Sequence, residues 1–321
     1  MTPPIITFMN FERYVKNFQR ALARYGLFTS AWILDRLPFG MVEFFARCLI
    51  AVGFRFTLRQ RRIARESLEI AFGKEKSSRE IDGIIRRCFE SLGYGMIEML
   101  YFMSHPRLTD RMVRWEGKEH LENALARGRG VIAVTAHFGN FPLMMLCCAR
   151  QGYKTASIIR PARDAALEKY LFRRRSECGV NTVYAVPRRE CVINALKALS
   201  GGEVLFIPLD QNFGSDGGVF VDFFGQKAAT ATGPVVFARR SRAPIVPMFI
   251  VREKDGTHAI MVEPVFELQE RADEQEAVAV NIAALTNLIE RYIRRYPHEW
   301  GWMHRRWKSK PSGYPDTRIP G

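Results

Sequence analysis

Short apolar runs alternate with amphipathic stretches over most of the chain, from residue 118 onward. Five of the runs are short enough for buried strands: 130–136, 155–160, 181–186, 203–209 and 244–252. Helical periodicity fills the intervals, and this alternation predicts a mainly parallel sheet with helices on both faces. Lys254-Asp255-Gly256 predicts a hairpin whose second strand returns antiparallel over 258–266. We therefore expect a mixed α/β domain.

The first sixty residues have a different pattern, in which apolar and aromatic side chains alternate with arginines. Residues 1–30 predict a basic amphipathic helix, since apolar positions recur at helical spacing: Phe8, Phe11, Tyr14, Val15, Phe18, Leu22 and Tyr25. Residues 26–56 are the most apolar, but no uncharged run reaches the ~18–20 residues that a bilayer span needs. Helices lying in one leaflet fit this pattern. A buried helical hairpin of a soluble domain is the alternative.

Further helices are expected on either side of the alternating region. Ser77 or Ser78, with Glu80 near the third position, predicts the start of a helix that reaches Phe102. A last amphipathic helix is expected over 274–295. The pattern predicts three parts: membrane-associating helices at 1–60, a catalytic domain at 61–310 and a C-terminal tail at 311–321.

The charge balance indicates an anionic partner. The 321 residues include 48 Lys and Arg against 33 Asp and Glu, for a net charge of +15. Nucleic acid, an anionic membrane surface and an acidic protein all fit such a charge. The basic residues form no recognisable nucleic-acid motif and concentrate beside the apolar N-terminal part, so we expect no nucleic acid partner. The six cysteines have no zinc-binding spacing, so we expect no metal.

His137 is the first candidate for chemistry. It ends the apolar run 131–136 and precedes a Gly-Asn turn and a predicted helix. The end of a strand before a helix is where α/β proteins place chemistry, and imidazole titrates near neutral pH. His137 is therefore either a general base or a hydrogen-bonded structural histidine.

Two charged residues follow other predicted strands. Arg160, before Pro161, fits bidentate binding of a phosphate or carboxylate, or is a surface arginine. Asp210, before Gln211, fits an acid that orients His137 and stabilises its imidazolium, or caps a loop.

Two stretches suggest substrate contacts. Residues 217–225 place glycines beside aromatic residues, as a flexible apolar wall for an acyl chain would require; core packing is the alternative. Residues 230–234, Thr-Ala-Thr-Gly-Pro, predict a helix start whose free N–H groups could bind an anion.

These stretches resemble the bacterial lipid A secondary acyltransferases, the lauroyl and myristoyl transferases of lipopolysaccharide assembly. The similarity runs in order from about residue 37 to 308. Its motifs are Leu37-Pro38, Arg61-Arg62…Ala64, His137-Phe138-Gly139-Asn140, Arg160-Pro161, Asp210-Gln211, Phe223-Phe224-Gly225, Arg239-Arg240…Ala243-Pro244…Val246-Pro247 and Pro297 to Lys308. The last segment is the most specific.

The resemblance implies a glycerol-phosphate-acyltransferase-like fold at the cytoplasmic face of the bacterial inner membrane, peripheral or held by one N-terminal anchor. It implies acyl transfer from an acyl-carrier-protein or acyl-CoA thioester to a lipid hydroxyl, lipid A precursor by default, without a bound cofactor. Acyl carrier protein and anionic lipid headgroups would be partners. The implied catalytic residues are His137 and Asp210. Substrate binding is assigned to Asn140, Arg160, Gln211, Phe220, Phe223, Phe224, Thr232 and Arg305.

The chain departs from the family motif at its acid. The motif is His, four residues, then Asp or Glu, and that position is Pro142, with no carboxylate at 141 or 143. Three hypotheses follow: Asp210 serves as the acid, His137 acts alone on a backbone carbonyl, or the protein binds lipid without turnover. In the first, His137 deprotonates the acceptor hydroxyl, and backbone N–H groups or Asn140 hold the oxyanion.

Overall fold

The computed structural model describes residues 21, 24–214, 218–311 and 313, and a mainly parallel β-sheet lies at its centre. Its strands in chain order are β1 Val113–Glu116, β2 Val131–Thr135, β3 Thr155–Ile159, β4 Val180–Tyr184, β5 Val204–Pro208, β6 Gly218–Phe223, β7 Gln226–Ala231, β8 Ile245–Arg252 and β9 His258–Val262. Seven of the described strands form the main sheet in the order β1-β9-β8-β2-β5-β3-β4. Within that sheet the β8–β9 pair is antiparallel, as the hairpin at 254–256 predicts.

Helices cover this sheet. They are α1 Phe39–Phe56, α2 Leu58–Phe72, α3 Ser78–Ser104, α4 Thr109–Met112, α5 Lys118–Leu125, α6 Phe141–Arg150, α7 Ala165–Glu177, α8 Arg188–Ser200, α9 Gly233–Ser241 and α10 Glu274–Arg295. Short 3₁₀ turns lie at Pro106–Leu108 and Pro297–Glu299. The mixed α/β fold expected from the alternating pattern is confirmed.

The central strand β2 is buried on both faces and divides the core into two layers. Ile132 and Val134 face the layer formed with α2, α8, α9 and α10. Val131 and Ala133 face the layer formed with α5, α6 and the end of α3. Side chains alternate across a strand, so a continuous apolar run is what a doubly covered strand requires.

The start of α3 follows its sequence signal. The Ser77 hydroxyl accepts a hydrogen bond from the Glu80 N–H at 3.4 Å, and the Glu80 carboxylate accepts one from the Ser77 N–H at 2.8 Å. This reciprocal pair satisfies two N–H groups that the first turn would leave unbonded. It fixes the start of the long helix α3.

The segment expected to be a flexible apolar wall is instead an antiparallel hairpin of β6 and β7. Phe223 and Phe224 are buried and contact the rings of Trp300, Trp302 and Trp307. Their contact with an acyl chain stays a prediction, while in this packing the core surrounds both rings. Phe220 is half-buried on β6, and residue 217 lies outside the described residues.

The predicted N-terminal helix at 1–30 lies mostly outside the described residues, but 24–34 are helical and α1 follows. One face of α1 is buried at Val42 and Ala46. A neighbouring face is exposed, and we name it the α1 stripe: Met41, Phe45, Leu49, Val52 and Phe56. Among the described helices, none has the length and apolarity to cross a bilayer.

Candidate active site

The site begins where two neighbouring parallel strands end. In the β2–β5 pair Thr135 lies opposite Pro208, so the residues that follow the two strands emerge side by side. His137 Nδ1 and Asp210 Oδ1 are 2.9 Å apart. This geometry brings together the two residues that the sequence analysis named as catalytic.

Asp210 is a buried carboxylate with a partner for each oxygen. Oδ1 accepts from His137, and Oδ2 accepts from the indole N–H of Trp300 at 2.7 Å. Burial alone would raise the pKa of Asp210, but the charge and hydrogen bond of His137 and the bond from Trp300 bring that pKa well below its usual value. The carboxylate is therefore ionised and fixed in one orientation.

His137 is held at one nitrogen and accessible at the other. Burial lowers its pKa, but the negative charge of Asp210 and their hydrogen bond outweigh that effect and raise it. Its side chain is 29% exposed, and Nε2 accepts from the Gln211 amide nitrogen at 3.1 Å. Since Nδ1–H donates to Asp210, Nε2 carries the lone pair that can take a proton.

A second imidazole, His304, lies in this site and was missed by the sequence reasoning. Its ring centre is 5.3 Å from that of His137, and its Nε2 is 3.4 Å from the Gln211 amide nitrogen. Burial lowers the pKa of His304. The negative charge of Asp210 opposes this effect but does not reverse it. Of the two histidines, His137 is therefore the one that Asp210 stabilises as the cation.

The closing segment 297–308 carries His304 and Trp300 back to the end of β2. Phe138 and Trp300 form an antiparallel bridge, and the Gly139 N–H donates to the Glu299 carbonyl at 2.8 Å. On the other side of the closing segment, the Ser67 hydroxyl of α2 donates to the His304 carbonyl at 3.4 Å. In the sequence, the signal for these two residues is that segment 297–308 is the most specific part of the family motif. The motif alone does not show which of its residues reach the site.

Arg306 is fully buried next to the predicted Arg305, which is exposed. Its guanidinium donates to the carbonyl of Gln211 at 2.9 Å and to the hydroxyl of Thr230 at 2.6 Å. Burial lowers the pKa of Arg306 to about 10. Arg306 therefore fixes the loop after β5, while the expected substrate contact of Arg305 stays a prediction.

Asn140 caps a helix and contacts a buried carboxylate. Its side-chain oxygen accepts from the Leu143 N–H at 3.3 Å, which caps α6, and its amide nitrogen donates to Glu98 at 3.4 Å. Both polar ends therefore have protein partners here, and the substrate role of Asn140 stays a prediction. Pro142 occupies the first turn of α6, where proline is tolerated.

The remaining predicted residues lie around the same edge without a contact that tests their role. Arg160 is exposed directly after β3, the strand on the other side of β5. Thr232 precedes α9 and makes no capping hydrogen bond with its side chain. Among the described residues, no group of three His, Cys, Asp or Glu side chains is arranged to hold a metal ion.

Comparisons with known proteins agree with the motifs. A family model described as bacterial lipid A biosynthesis acyltransferase matches residues 9–309. The lipid A biosynthesis lauroyltransferase of Escherichia coli K12 is 31% identical over 295 residues, which are 88% of this chain and 90% of that protein. The palmitoleoyltransferase of the same strain is 29% identical over 293 residues, with 88% and 90% covered.

A solved structure, the 1-acyl-sn-glycerophosphate acyltransferase of Thermotoga maritima, aligns with 74% of this chain and 96% of its own. Its sequence identity is 14% and the TM-score is 0.35. At that score the expected glycerol-phosphate-acyltransferase-like fold stays a prediction beyond the observed mixed sheet. The family model covers nearly the whole chain and confirms the resemblance seen in the motifs: the chain belongs to the bacterial lipid A biosynthesis acyltransferase family.

Proposed function

We propose that the protein transfers a fatty acyl group from an acyl-carrier-protein or acyl-CoA thioester to a hydroxyl of a lipid A precursor or a related lipid. One observation supports this most directly. His137 donates from Nδ1 to a buried, ionised Asp210 and keeps Nε2 available on the accessible side. In this proposal Asp210 takes the role of the family's motif acid, whose position in this chain is occupied by Pro142.

In the proposed reaction His137 is the general base and Asp210 is a positioning residue. The acceptor hydroxyl displaces the Gln211 amide from Nε2 of His137. This Nε2 then takes the proton of the hydroxyl. The oxygen attacks the thioester carbonyl and forms a tetrahedral oxyanion. When the C–S bond breaks, the leaving thiolate takes the proton from the imidazolium, so His137 returns to its neutral form.

Other side chains have proposed roles around this centre. The displaced Gln211 amide is a donor at the place where the oxyanion forms. Arg160 binds a phosphate of the acceptor or of the donor's phosphopantetheine, and Phe220 contacts the acyl chain. The start of α9 at Thr232 and the exposed Arg305 supply further contacts to anionic substrate groups.

We place the protein at the cytoplasmic face of the bacterial inner membrane. Support comes from the α1 stripe, whose Phe56 and Leu49 side chains are 82% and 64% exposed. Large exposed apolar patches mark interaction surfaces, and Arg47, Arg55 and Arg59 beside the stripe would be attracted to anionic lipids. The net charge of +15 also favours an acidic carrier protein as donor.

The test is acyl transfer by membranes that contain the wild type, His137→Ala or Asp210→Asn. Labelled acyl carrier protein and acyl-CoA are offered as alternative donors, with total lipid from a Gram-negative cell as acceptor. We expect both variants to lose transfer, by roughly 10⁴-fold for Asp210→Asn, the scale seen when an acyl-transfer histidine loses its orienting acid. The labelled product identifies the acceptor.

Matched controls are His120→Ala on α5 and Asp222→Asn on β6, outside the site. They are expected to keep wild-type transfer. A His137→Ala variant with undiminished transfer would refute the mechanism. A folded wild type that transfers nothing from either donor would favour the alternative, a catalytically impaired family member that binds lipid.

A further inference from the structure

A concave site with no assigned role lies at the junction of α1, α2 and α3, built from residues outside the His137 centre. It is a cavity of about 250 Å³, and we name it the arginine pocket. Its basic lining is Arg61, Arg62 and Arg65 of α2, and its apolar lining is Phe54, Leu58 and Ile85. Asp82 of α3 completes it.

The arginine pocket has an excess of positive charge. Three guanidinium groups line it against one carboxylate, Asp82, which pairs with Arg65. Glu69, one turn along α2, lies 3.9 Å from Arg65. Among the described residues, Arg62 has no carboxylate within ion-pair distance, so its charge is available to a ligand.

Arg61 is held in place before any ligand binds. Its guanidinium lies 4.4 Å from the ring centre of Phe54 and donates to the Phe54 carbonyl at 3.4 Å. A guanidinium stacked on a ring still has N–H groups to donate at its edge. Preorganisation of this kind lowers the entropy that a bound anion would otherwise cost.

The start of α2 adds to the positive potential beside these side chains. Thr57 makes no capping hydrogen bond with its side chain, and the first turn contains no acidic residue. The N–H groups of a first turn have no partner within the helix, and the helix dipole is positive there. The backbone and the three arginines therefore favour the same kind of ligand, an anion.

The surroundings of the pocket indicate which anion. Leu58 lines the pocket and is largely exposed, and Phe56 at the end of the α1 stripe is two residues away. The cavity is smaller than the ~300 Å³ at which pockets for drug-sized ligands begin, so it fits a headgroup better than an acyl chain. An anion bound there would have an apolar surface next to it for attached hydrocarbon.

We infer that the arginine pocket binds the phosphate of a membrane phospholipid, whose acyl chains lie against the exposed Leu58. This inference rests on the proposed placement at the membrane but not on acyl transfer, and it uses none of the residues around His137. A protein partner of ordinary interface size would cover about 800 Å² of this chain, far more than a cavity of this kind. The concave shape and the exposed Leu58 in its lining therefore favour a lipid.

The experiment measures binding of dihexanoyl phosphatidic acid, a water-soluble phospholipid, to the full-length protein by isothermal titration calorimetry. Inorganic phosphate and dihexanoyl phosphatidylcholine are titrated in parallel. We expect saturable binding of phosphatidic acid that is tighter than that of either comparison ligand. Arg61→Gln with Arg62→Gln should weaken it about tenfold or more, since each charge-assisted contact contributes that much.

The matched control is Arg127→Gln with Arg129→Gln, which removes the same charge from exposed positions after α5, away from the pocket lining and the α1 stripe. It should bind phosphatidic acid as the wild type does. Arg62→Gln alone repeats the test without disturbing the stacked Arg61, and melting temperatures confirm that each variant is folded. His137→Ala is expected to bind normally, so loss of transfer and loss of this site are distinguishable.

Three results would overturn the inference. Equal weakening in both double variants would mean diffuse surface charge. Inorganic phosphate that binds as tightly as phosphatidic acid would mean a free-ion site. Selective loss of acyl-carrier-protein binding in the Arg61 and Arg62 variant, with lipid binding intact, would assign the pocket to the acidic protein.

Discussion

At the scale of single residues, the centre is a chain of hydrogen bonds from Trp300 through Asp210 to His137. Each oxygen of the carboxylate has one partner, so the Asp210 side chain has no freedom to rotate away from the imidazole. A buried carboxylate that lost either partner would be partly unsatisfied, at a cost of ~1–3 kcal/mol or more. Trp300, which is fully buried, therefore contributes to the orientation of His137 through Asp210.

Trp300→Phe tests this positioning role, because phenylalanine keeps an aromatic ring but removes the N–H that donates to Asp210. We expect kcat to fall roughly tenfold to a hundredfold, the value of one hydrogen bond to a charged group, with KM little changed. Steady-state acyl-transfer kinetics measure both. Trp302→Phe is the matched control, since Trp302 is equally buried but donates to the Pro297 carbonyl. Equal kinetic losses in the two variants would contradict the role.

Asp210→Asn also makes a prediction about pH. Asp210 raises the pKa of His137, and the proposed mechanism needs the neutral imidazole, so wild-type activity is expected to rise with pH through that raised pKa. Without the carboxylate the pKa of His137 falls, and the acidic limb of the kcat/KM profile should move to lower pH while the maximal rate drops. A pH–rate series on both proteins measures the shift. An acidic limb that stays in place would mean that His137 is not the titrating base.

At the scale of elements, the turn from β2 into α6 depends on Gly139. Its φ is 55°, and a Cβ there would overlap the carbonyl oxygen of Ile250 on β8. Gly139→Ala should therefore destabilise the fold by more than the ~1–2 kcal/mol of left-handed backbone strain alone. Gly128→Ala is the control, since its φ is 70° but no atom lies within 4 Å of the added Cβ. Urea unfolding of both variants measures the difference, and equal losses would contradict the predicted clash.

The regular elements of the sheet and its helices were predictable because local periodicity determines them. The apolar run at β2 has the length and composition of a doubly covered strand, and α10 matches its predicted range of 274–295. The hairpin of β6 and β7 was not recognised, because its buried β7 positions are the small residues Ala228, Ala229 and Thr230. Small side chains give little alternation of apolar and polar character, although they allow Arg306 to approach that strand.

The site was predictable only where the sheet brings residues together. His137 and Asp210 end parallel strands, and the ends of such strands share one edge. Trp300, His304 and Arg306 come from a segment without regular structure that returns across ninety or more residues. Their contacts depend on the Phe138–Trp300 bridge and on packing against α2, which no local pattern specifies.

At the scale of the whole molecule, apolar surface and basic charge are concentrated at the N-terminal helices, while His137 and Asp210 lie at the carboxyl edge of the sheet. The closing segment and α2 connect the two regions, through the contact between Ser67 and His304. The α1 stripe should therefore determine membrane association while leaving the chemistry of His137 intact.

Leu49→Ser combined with Phe56→Ser tests this separation. Burying each side chain in a bilayer interface is worth ~1.5–3 kcal/mol, so losing both should reduce the vesicle-bound fraction at least tenfold. Flotation with vesicles containing anionic phospholipid measures that fraction. Transfer to a lipid acceptor presented in detergent micelles should stay within about twofold of wild type, because neither residue lies at the catalytic edge.

The matched control, Phe172→Ser with Ile193→Ser, removes exposed apolar side chains from α7 and α8 and should leave flotation unchanged. Equal loss of flotation in both pairs would mean that general surface hydrophobicity, and not the α1 stripe, holds the protein to the membrane.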